Sequence, residues 1–324
     1  VVFASWRPGK ALLGALLFLS AVAMWLSRAA DWPVESLVAR WAPPPSDFID
    51  VKGQLVHLRD VGPRDDPEPL LLVHGTAASL HTWEGWVKAL SVQHRVISFD
   101  LPAFGLTGPN ASGDYRGDSY ARFVLDLMDQ LKVQRFAIGG NSLGGEVAWR
   151  TALMAPQRVT RLILVDAAGL PSDGGTLPIG FVLARVPLLN RLFDSVLPRP
   201  MVVASLRHVY GDPAKVDAAL VDRHYQLTLR EGNRRALVQR LQQAQRGEDA
   251  ARIQQLKLPT LILWGGRDRL LPPAMAQRFH QDIAGSTLVV FDDLGHVPQE
   301  EDPARTLPPV QAFLQGDTVA PAKP

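Results

Sequence analysis

A serine, a histidine and two aspartates carry the chemistry that can be read from this chain. Gly140-Asn141-Ser142-Leu143-Gly144 has the form G-x-S-x-G. An apolar, strand-like run (Arg135 to Gly139) leads into it, and a helix-like run (Glu146 to Arg150) follows. A serine on so sharp a strand-to-helix turn can push its hydroxyl clear of a sheet, and the tightness of the turn calls for small flanking residues. The pentapeptide alone recurs by chance in roughly one chain in ten of this size, so its partners must decide. A serine hydroxyl needs an adjacent base to take its proton, an acid to orient that base, and backbone N–H donors aimed at the developing oxyanion.

Eight histidines are available as base. His280 lies in a helical pattern. His208 and His224 fall in a stretch without strands, His57 in a hairpin, and His81 and His94 flank a helix. His74 follows an apolar strand, and its imidazole reads as a hydrogen-bonding group within its own loop. His296 stands apart, in the loop Asp292-Asp293-Leu294-Gly295-His296 just after the last strand. Active sites of α/β folds gather at such strand ends, which makes His296 the base. Two aspartates fit as acid in the order serine, acid, histidine. Asp268 follows a strand through Gly265-Gly266-Arg267, and the glycines permit a tight excursion toward the histidine. Asp166 ends another strand and is the rival. Asp268 is also open to a helix-capping role, or to pairing with Arg267 or Arg269. The backbone N–H of Leu143, at the start of the helix, and that of Thr76, in the turn after the first central strand, are the candidate oxyanion donors.

The elements that must position these groups follow from periodicity. Residues 48–58 read as a hairpin turning at Lys52-Gly53. Residues 70–73, 95–100, 136–138, 161–166, 260–264 and 286–291 read as short strands. Apolar strands alternating with helices predict a parallel sheet covered on both faces. The alternation stops between about Gly169 and Arg252. There Pro171, Pro178, Pro187, Pro198 and Pro200 break up the first half, and Asp217 to Gln245 reads as helical. A mostly helical insertion into one α/β domain is the simplest account.

Composition narrows the classes. The chain has 324 residues, 47% of them hydrophobic, with a net charge of +2 and no cysteine. No block of like charge suggests a nucleic-acid surface. The absence of cysteine excludes a thiol nucleophile, a disulfide framework and a cysteine metal site. Ala11 to Ser27 is free of charge, with Arg7 and Lys10 before it and Arg28 after it. Seventeen helical residues reach roughly 26 Å, near the lower limit for a bilayer. The segment reads as an uncleaved membrane anchor through residues 11–27, with a cleaved signal peptide and a buried or interfacial helix as rivals. The preceding basic residues favour export of the rest of the chain, to the periplasmic or extracellular side, or its secretion if the segment is cleaved. The expected divisions are an anchor or signal segment (1–30), a linker (31–47) carrying Pro43-Pro44-Pro45, a core in two parts (48–168 and 255–316), a helical cap (169–254) and a disordered tail (317–324).

As an ordered set, His74-Gly75, Asp100-Leu101-Pro102-Ala103-Phe104-Gly105, the Gly-Asn-Ser-Leu-Gly-Gly turn, Gly-Arg-Asp at 266–268 and Gly-His at 295–296 resemble the α/β-hydrolase superfamily over residues 48–316. The resemblance implies an eight-stranded, mostly parallel sheet with helices on both faces. It also implies Ser142 as nucleophile, His296 as base, Asp268 as acid and a cap over the site. Ala103 departs from the glycine many relatives carry at a loop bend. The expected activity is cleavage of an ester or related acyl bond of a small, hydrophobic substrate through an acyl-enzyme, with no metal or organic cofactor required. Phe181, Leu183, Leu188, Leu189 and Phe193 are candidates for the pocket or for the core of the cap. Asn141 before the serine also resembles the hydrolases that cleave carbon–carbon bonds of ring-fission products, although Val297 stands where those relatives place tryptophan. Haloalkane dehalogenases and epoxide hydrolases, similar in cap and loop, use an aspartate nucleophile. A haloperoxidase-like activity shares the triad. A catalytically silent binding protein on the same scaffold is the remaining alternative. Oligomeric state is not legible.

Overall fold

The computed structural model describes residues 8–171, 174–186, 195–245 and 247–319. Its frame is an eight-stranded sheet of β1 (Ser46–Val51), β2 (Gln54–Val61), β3 (Leu70–Val73), β4 (Val96–Phe99), β5 (Phe136–Asn141), β6 (Val159–Val165), β7 (Thr260–Gly265) and β8 (Thr287–Phe291). The order is β1-β2-β4-β3-β5-β6-β7-β8. β1 and β2 form the expected hairpin, and Lys52 and Gly53 take the positive φ values (52° and 87°) that a tight two-residue turn demands. β2 pairs antiparallel with β4, and every later pairing is parallel.

The central strands are apolar throughout because both faces are covered. In β3, Leu71 and Val73 enter one core cluster with Ile97, Phe99, Val147 and Trp149, while Leu70 and Leu72 enter the opposite cluster with Trp83, Trp86 and Leu90. The two-residue alternation of a strand distributes these four side chains between two layers. α4 (Gly117–Gln130), α5 (Leu143–Met154) and α10 (Ala274–Asp282) supply the first layer. α3 (Glu84–Leu90) and α12 (Pro303–Gln315) supply the second, where Trp86 Nε1 donates to Thr306 Oγ1 at 2.9 Å.

Between β6 and β7 the described chain forms α6 (Ile179–Arg185), α7 (Arg199–Val209), α8 (Ala218–Thr228) and α9 (Asn233–Gln243), and no strand. The helical pattern over 217–245 breaks after Thr228, where α8 ends, and resumes from Gly232, which caps the start of α9 with a φ of +82°. Leu188, Leu189 and Phe193 lie outside the described residues, as does the tail from residue 320.

The N-terminal region differs from expectation. Where a linker was expected, α2 (Val34–Trp41) packs Leu37 against Leu106 and Leu227. The preceding residues are stitched to the helical insertion. Ala29 N–H donates to Ser195 O (3.0 Å), Leu197 N–H to Ser27 O (3.0 Å), Trp32 N–H to Leu229 O (2.7 Å) and Glu231 N–H to Trp32 O (2.8 Å). Arg234 pairs with Asp31. α1 (Pro8–Leu26) precedes this strap and exposes Leu12, Leu13, Leu16, Phe18, Leu19 and Trp25. Among the described residues no helix is long and apolar enough to cross a membrane, so the expected spanning segment finds no support there.

Candidate active site

The carboxyl ends of β3, β5, β6, β7 and β8 lead to His74-Gly75-Thr76, Ser142, Asp166, Asp268 and His296 in turn, along one edge of the sheet. Ser142 sits between β5 and α5 with φ 55° and ψ −117°, a conformation that residues with a side chain rarely adopt. The flanking glycines are there for space. A Cβ on Gly140 would collide with the carbonyl of Gly144, and one on Gly144 with the carbonyl of Val73. The strained serine is held by its neighbours. Its N–H donates to Val165 O (3.0 Å), and its carbonyl accepts from Glu146 and Ala168. Asn141 Nδ2 donates to Val165 O (3.1 Å) and to His296 O (2.9 Å), which binds the elbow to the histidine loop.

His296 is buried, and its Nδ1 lies 2.7 Å from Asp268 Oδ2. Asp268 is also held by the N–H groups of Leu270 and Leu271 at 2.8 and 2.9 Å, so both of its oxygens act as acceptors. Of the two acids the sequence left open, Asp268 is therefore the one hydrogen-bonded to His296. Its glycines serve close approach: a Cβ on Gly265 would strike the Gly295 carbonyl, and one on Gly266 would crowd the backbone of Asp292. With Nδ1 donating to a carboxylate, His296 Nε2 is left as the acceptor that a general base must present. Ser142 and His296 line one cavity of about 600 Å³. Among the described residues Ser142 Oγ makes no hydrogen bond to His296, which is common before a substrate closes the geometry.

Thr76 and Leu143 line the same cavity. A Cβ placed on Gly75 would lie 3.1 Å from Ser142 Cβ, so the turn carrying Thr76 runs beside the serine. Leu143 opens α5, where backbone N–H groups are free of intrahelical partners. His74 is fixed away from the chemistry. Its Nδ1 donates to Gly75 O (2.7 Å), its Nε2 accepts from Leu101 N–H (2.9 Å), and burial lowers its pKa. Asp166 is fully buried and accepts the Gly265 N–H at 3.0 Å. One ligand atom each from Asp166, Asp268 and His296 lies within 4.8 Å of the others. The Asp268–His296 hydrogen bond spends Nδ1 as a donor, which leaves that nitrogen no lone pair for a metal ion.

Three further residues border the site: Glu301 and Glu300, which sequence reasoning missed, and His224, which it placed only in the stretch without strands. Glu301 accepts the N–H groups of Gly211 (2.9 Å), Asp212 (2.8 Å) and Gly295 (2.8 Å), tying the helical insertion to the histidine loop. His224, on α8, lines the cavity and donates from Nδ1 to Ala77 O (3.1 Å), next to Thr76. Burial first, and the adjacent Arg223 second, push His224 down to about 4. Glu300 pairs with Arg223; burial raises its carboxyl, but Arg223 and His224 outweigh that and hold it low. No local pattern announces these residues, because apart from Gly295 the partners named lie about 75 to 150 positions away. The far wall is mixed. Phe181, Met201 and Leu206 are apolar, whereas Arg150 and Arg240 flank Glu146 at 3.0 and 3.7 Å. Leu183, a candidate lining residue, does not line it.

A family model described as the alpha/beta hydrolase fold matches residues 68–303. The chain belongs to that family. It is a hydrolase by fold and kinship, with the eight-stranded sheet the resemblance implied. An uncharacterized protein of Mycobacterium tuberculosis is 33% identical over 302 residues, covering 87% of this chain and 84% of that one. Lipase 3 of a Moraxella species is 28% identical over 259 residues, covering 77% and 78%. The structure of a meta-cleavage product hydrolase from Pseudomonas fluorescens superposes with a TM-score of 0.71 at 28% identity, covering 83% of this chain and 97% of that one.

Proposed function

We propose that this α/β hydrolase cleaves an ester or related acyl bond of a hydrophobic small molecule through an acyl-enzyme on Ser142. The observation that carries the reading is the strained Ser142 elbow opening into the same cavity as His296, whose Nδ1 is held by Asp268 at 2.7 Å. Ser142 Oγ attacks the carbonyl carbon while His296 Nε2 takes its proton. The tetrahedral oxyanion rests on the N–H groups of Thr76 and Leu143. The C–O bond to the leaving group then breaks, and His296 returns the proton to the departing oxygen. Water enters by the same path and releases the acid. The apolar part of the cavity and the lipase relative support an acyl substrate.

A second reading keeps the site and changes the bond. Asn141 and the meta-cleavage relative favour cleavage of a ring-fission product, and Val297 after the histidine weighs against it. A panel of p-nitrophenyl acyl esters, run beside a ring-fission dienoate, separates the two. Ester turnover with chain-length preference supports the first reading. Turnover of the dienoate alone overturns it.

The apolar surface of α1 supports attachment to a membrane through residues 11–27, and Arg7 and Lys10 ahead of it favour the exported side for the hydrolase domain. Flotation of the full chain with liposomes, lost on deletion of residues 1–27, tests the attachment. A soluble full chain contradicts it.

A further inference from the structure

Asp166 is the buried acid that the reaction scheme leaves unused, and its hydrogen bonds do not balance as an anion. Asp268 is satisfied as a carboxylate, since Oδ1 accepts two backbone N–H groups and Oδ2 faces the imidazole. Asp166 is fully buried, and its Oδ1 accepts one N–H, from Gly265. Its Oδ2 has no hydrogen-bonding partner as an acceptor. The titratable groups that face it are Asp268 on the loop after β7, Glu301 on α11 (Pro298–Glu301) and His296 on the loop after β8. Glu301 is itself held by three backbone N–H groups, so it adds negative charge. Two carboxylates in so dry and so negative a place do not both ionise. The Asp166 backbone is bent to φ +43° at the end of β6, a left-handed conformation that costs energy and that surrounding packing must enforce.

We propose that Asp166 is a positioning residue: as a neutral carboxylic acid it donates its proton in a hydrogen bond to the Asp268 carboxylate. The acid member of the site is then a two-carboxyl, one-proton unit. No bond changes hands in turnover. Asp166 keeps its proton while Asp268 stabilises the imidazolium formed when His296 takes the serine proton. Burial first, and the charge of Asp268 second, push Asp166 well above the ordinary carboxyl range, in agreement with the geometry. Activity is therefore present below the Asp166 titration and lost above it, where two adjacent anions repel and Asp268 no longer holds His296.

The test is the pH profile of kcat and KM on a short soluble ester for wild type, Asp166→Asn and Asp166→Ala. The carboxamide can still donate to Asp268 and accept from Gly265. Asp166→Asn is expected to keep kcat within about threefold of wild type and to lose the alkaline limb. Asp166→Ala is expected to drop kcat by roughly tenfold or more at nearly unchanged KM. An alkaline limb unchanged in Asp166→Asn overturns the proposal, as does a loss of activity in that variant equal to that of Asp268→Asn. Infrared spectroscopy gives a second readout that needs neither turnover nor a folded variant. Wild type at neutral pH should show the C=O stretch of a buried protonated carboxyl that vanishes on alkaline titration. Its absence overturns the proposal. The kinetic arm rests on the serine-hydrolase reading. A wild type that turns over no ester fails that reading, whereas the infrared band reports on the shared proton alone.

Discussion

Two walls of one cavity are built by opposite rules. On the sheet side, Gly140, Gly144 and Gly145 sit so close to neighbouring backbone or side-chain atoms that an added methyl has nowhere to go. On the helical side, a Cβ on Gly180 would meet Met201 Sδ at 3.6 Å, an ordinary contact. The sheet side holds the chemistry through backbone hydrogen bonds and close approach. The helical side is joined to it by charged groups such as Glu301 and the Arg223–Glu300 pair, and by the N-terminal strap. The contrast teaches that reaction type is fixed by the sheet edge, where a shift of a few tenths of an ångström is forbidden. The shape of the substrate is left to a wall that can be rebuilt.

Substitutions on each wall would break that comparison if it is wrong. The largest effect is expected for Gly144→Ala, which forces the elbow away from Val73. It should cost about 3 kcal/mol or more and abolish esterase activity, read by thermal unfolding and turnover. A smaller effect is expected from acid. His81 is buried and His224 partly so, and each is held at about 4, desolvation being the first cause. Unfolded histidine titrates near 6.5. The folded value is depressed, so their stabilisation is complete above about 6.5 and is lost as pH falls toward 4. Melting temperature should drop across that window by the equivalent of a few kcal/mol, and His224→Gln should flatten the drop. An unchanged pH profile in that variant places the acid sensitivity elsewhere. The smallest effect belongs to Gly180→Ala. It should leave the fold intact and gain up to about 1 kcal/mol from helix propensity, while changing KM for long acyl chains. A collapse like that of Gly144→Ala would erase the distinction between the walls.

The same division explains what could be read from the sequence. The strands were legible because Leu70 to Val73, or Leu162 to Val165, are apolar on every position, and only a covered parallel sheet makes that pattern. The elbow and His296 were legible because local rules of turn geometry and strand ends govern them. Asp268 was favoured over Asp166 by the glycines before it and by the resemblance, although both acids follow adjacent strands, and the distance to Nδ1 agrees with that choice. The part played by Glu301 and the strap from Ser27 to Trp32 were not legible. Apart from Gly295, their partners are backbone groups far along the chain, which leave no periodicity. The helix Val34–Trp41 hides in a proline-flanked stretch because its stability comes from Leu37 buried against Leu106 and Leu227 and not from its own eight residues. Ala103, unremarkable as a substitution in sequence, takes φ +86° in a bend that glycine would occupy without strain.

The central claim is that Ser142 is a nucleophile activated by His296. The most direct measurement is the intact mass of the full-length protein after exposure to a fluorophosphonate, beside Ser142→Ala and His296→Ala. The account predicts one adduct on wild type, mapped by peptide sequencing to Ser142, no adduct on Ser142→Ala and labelling slowed by orders of magnitude on His296→Ala. An adduct that persists in Ser142→Ala, or labelling of His296→Ala at the wild-type rate, would contradict it.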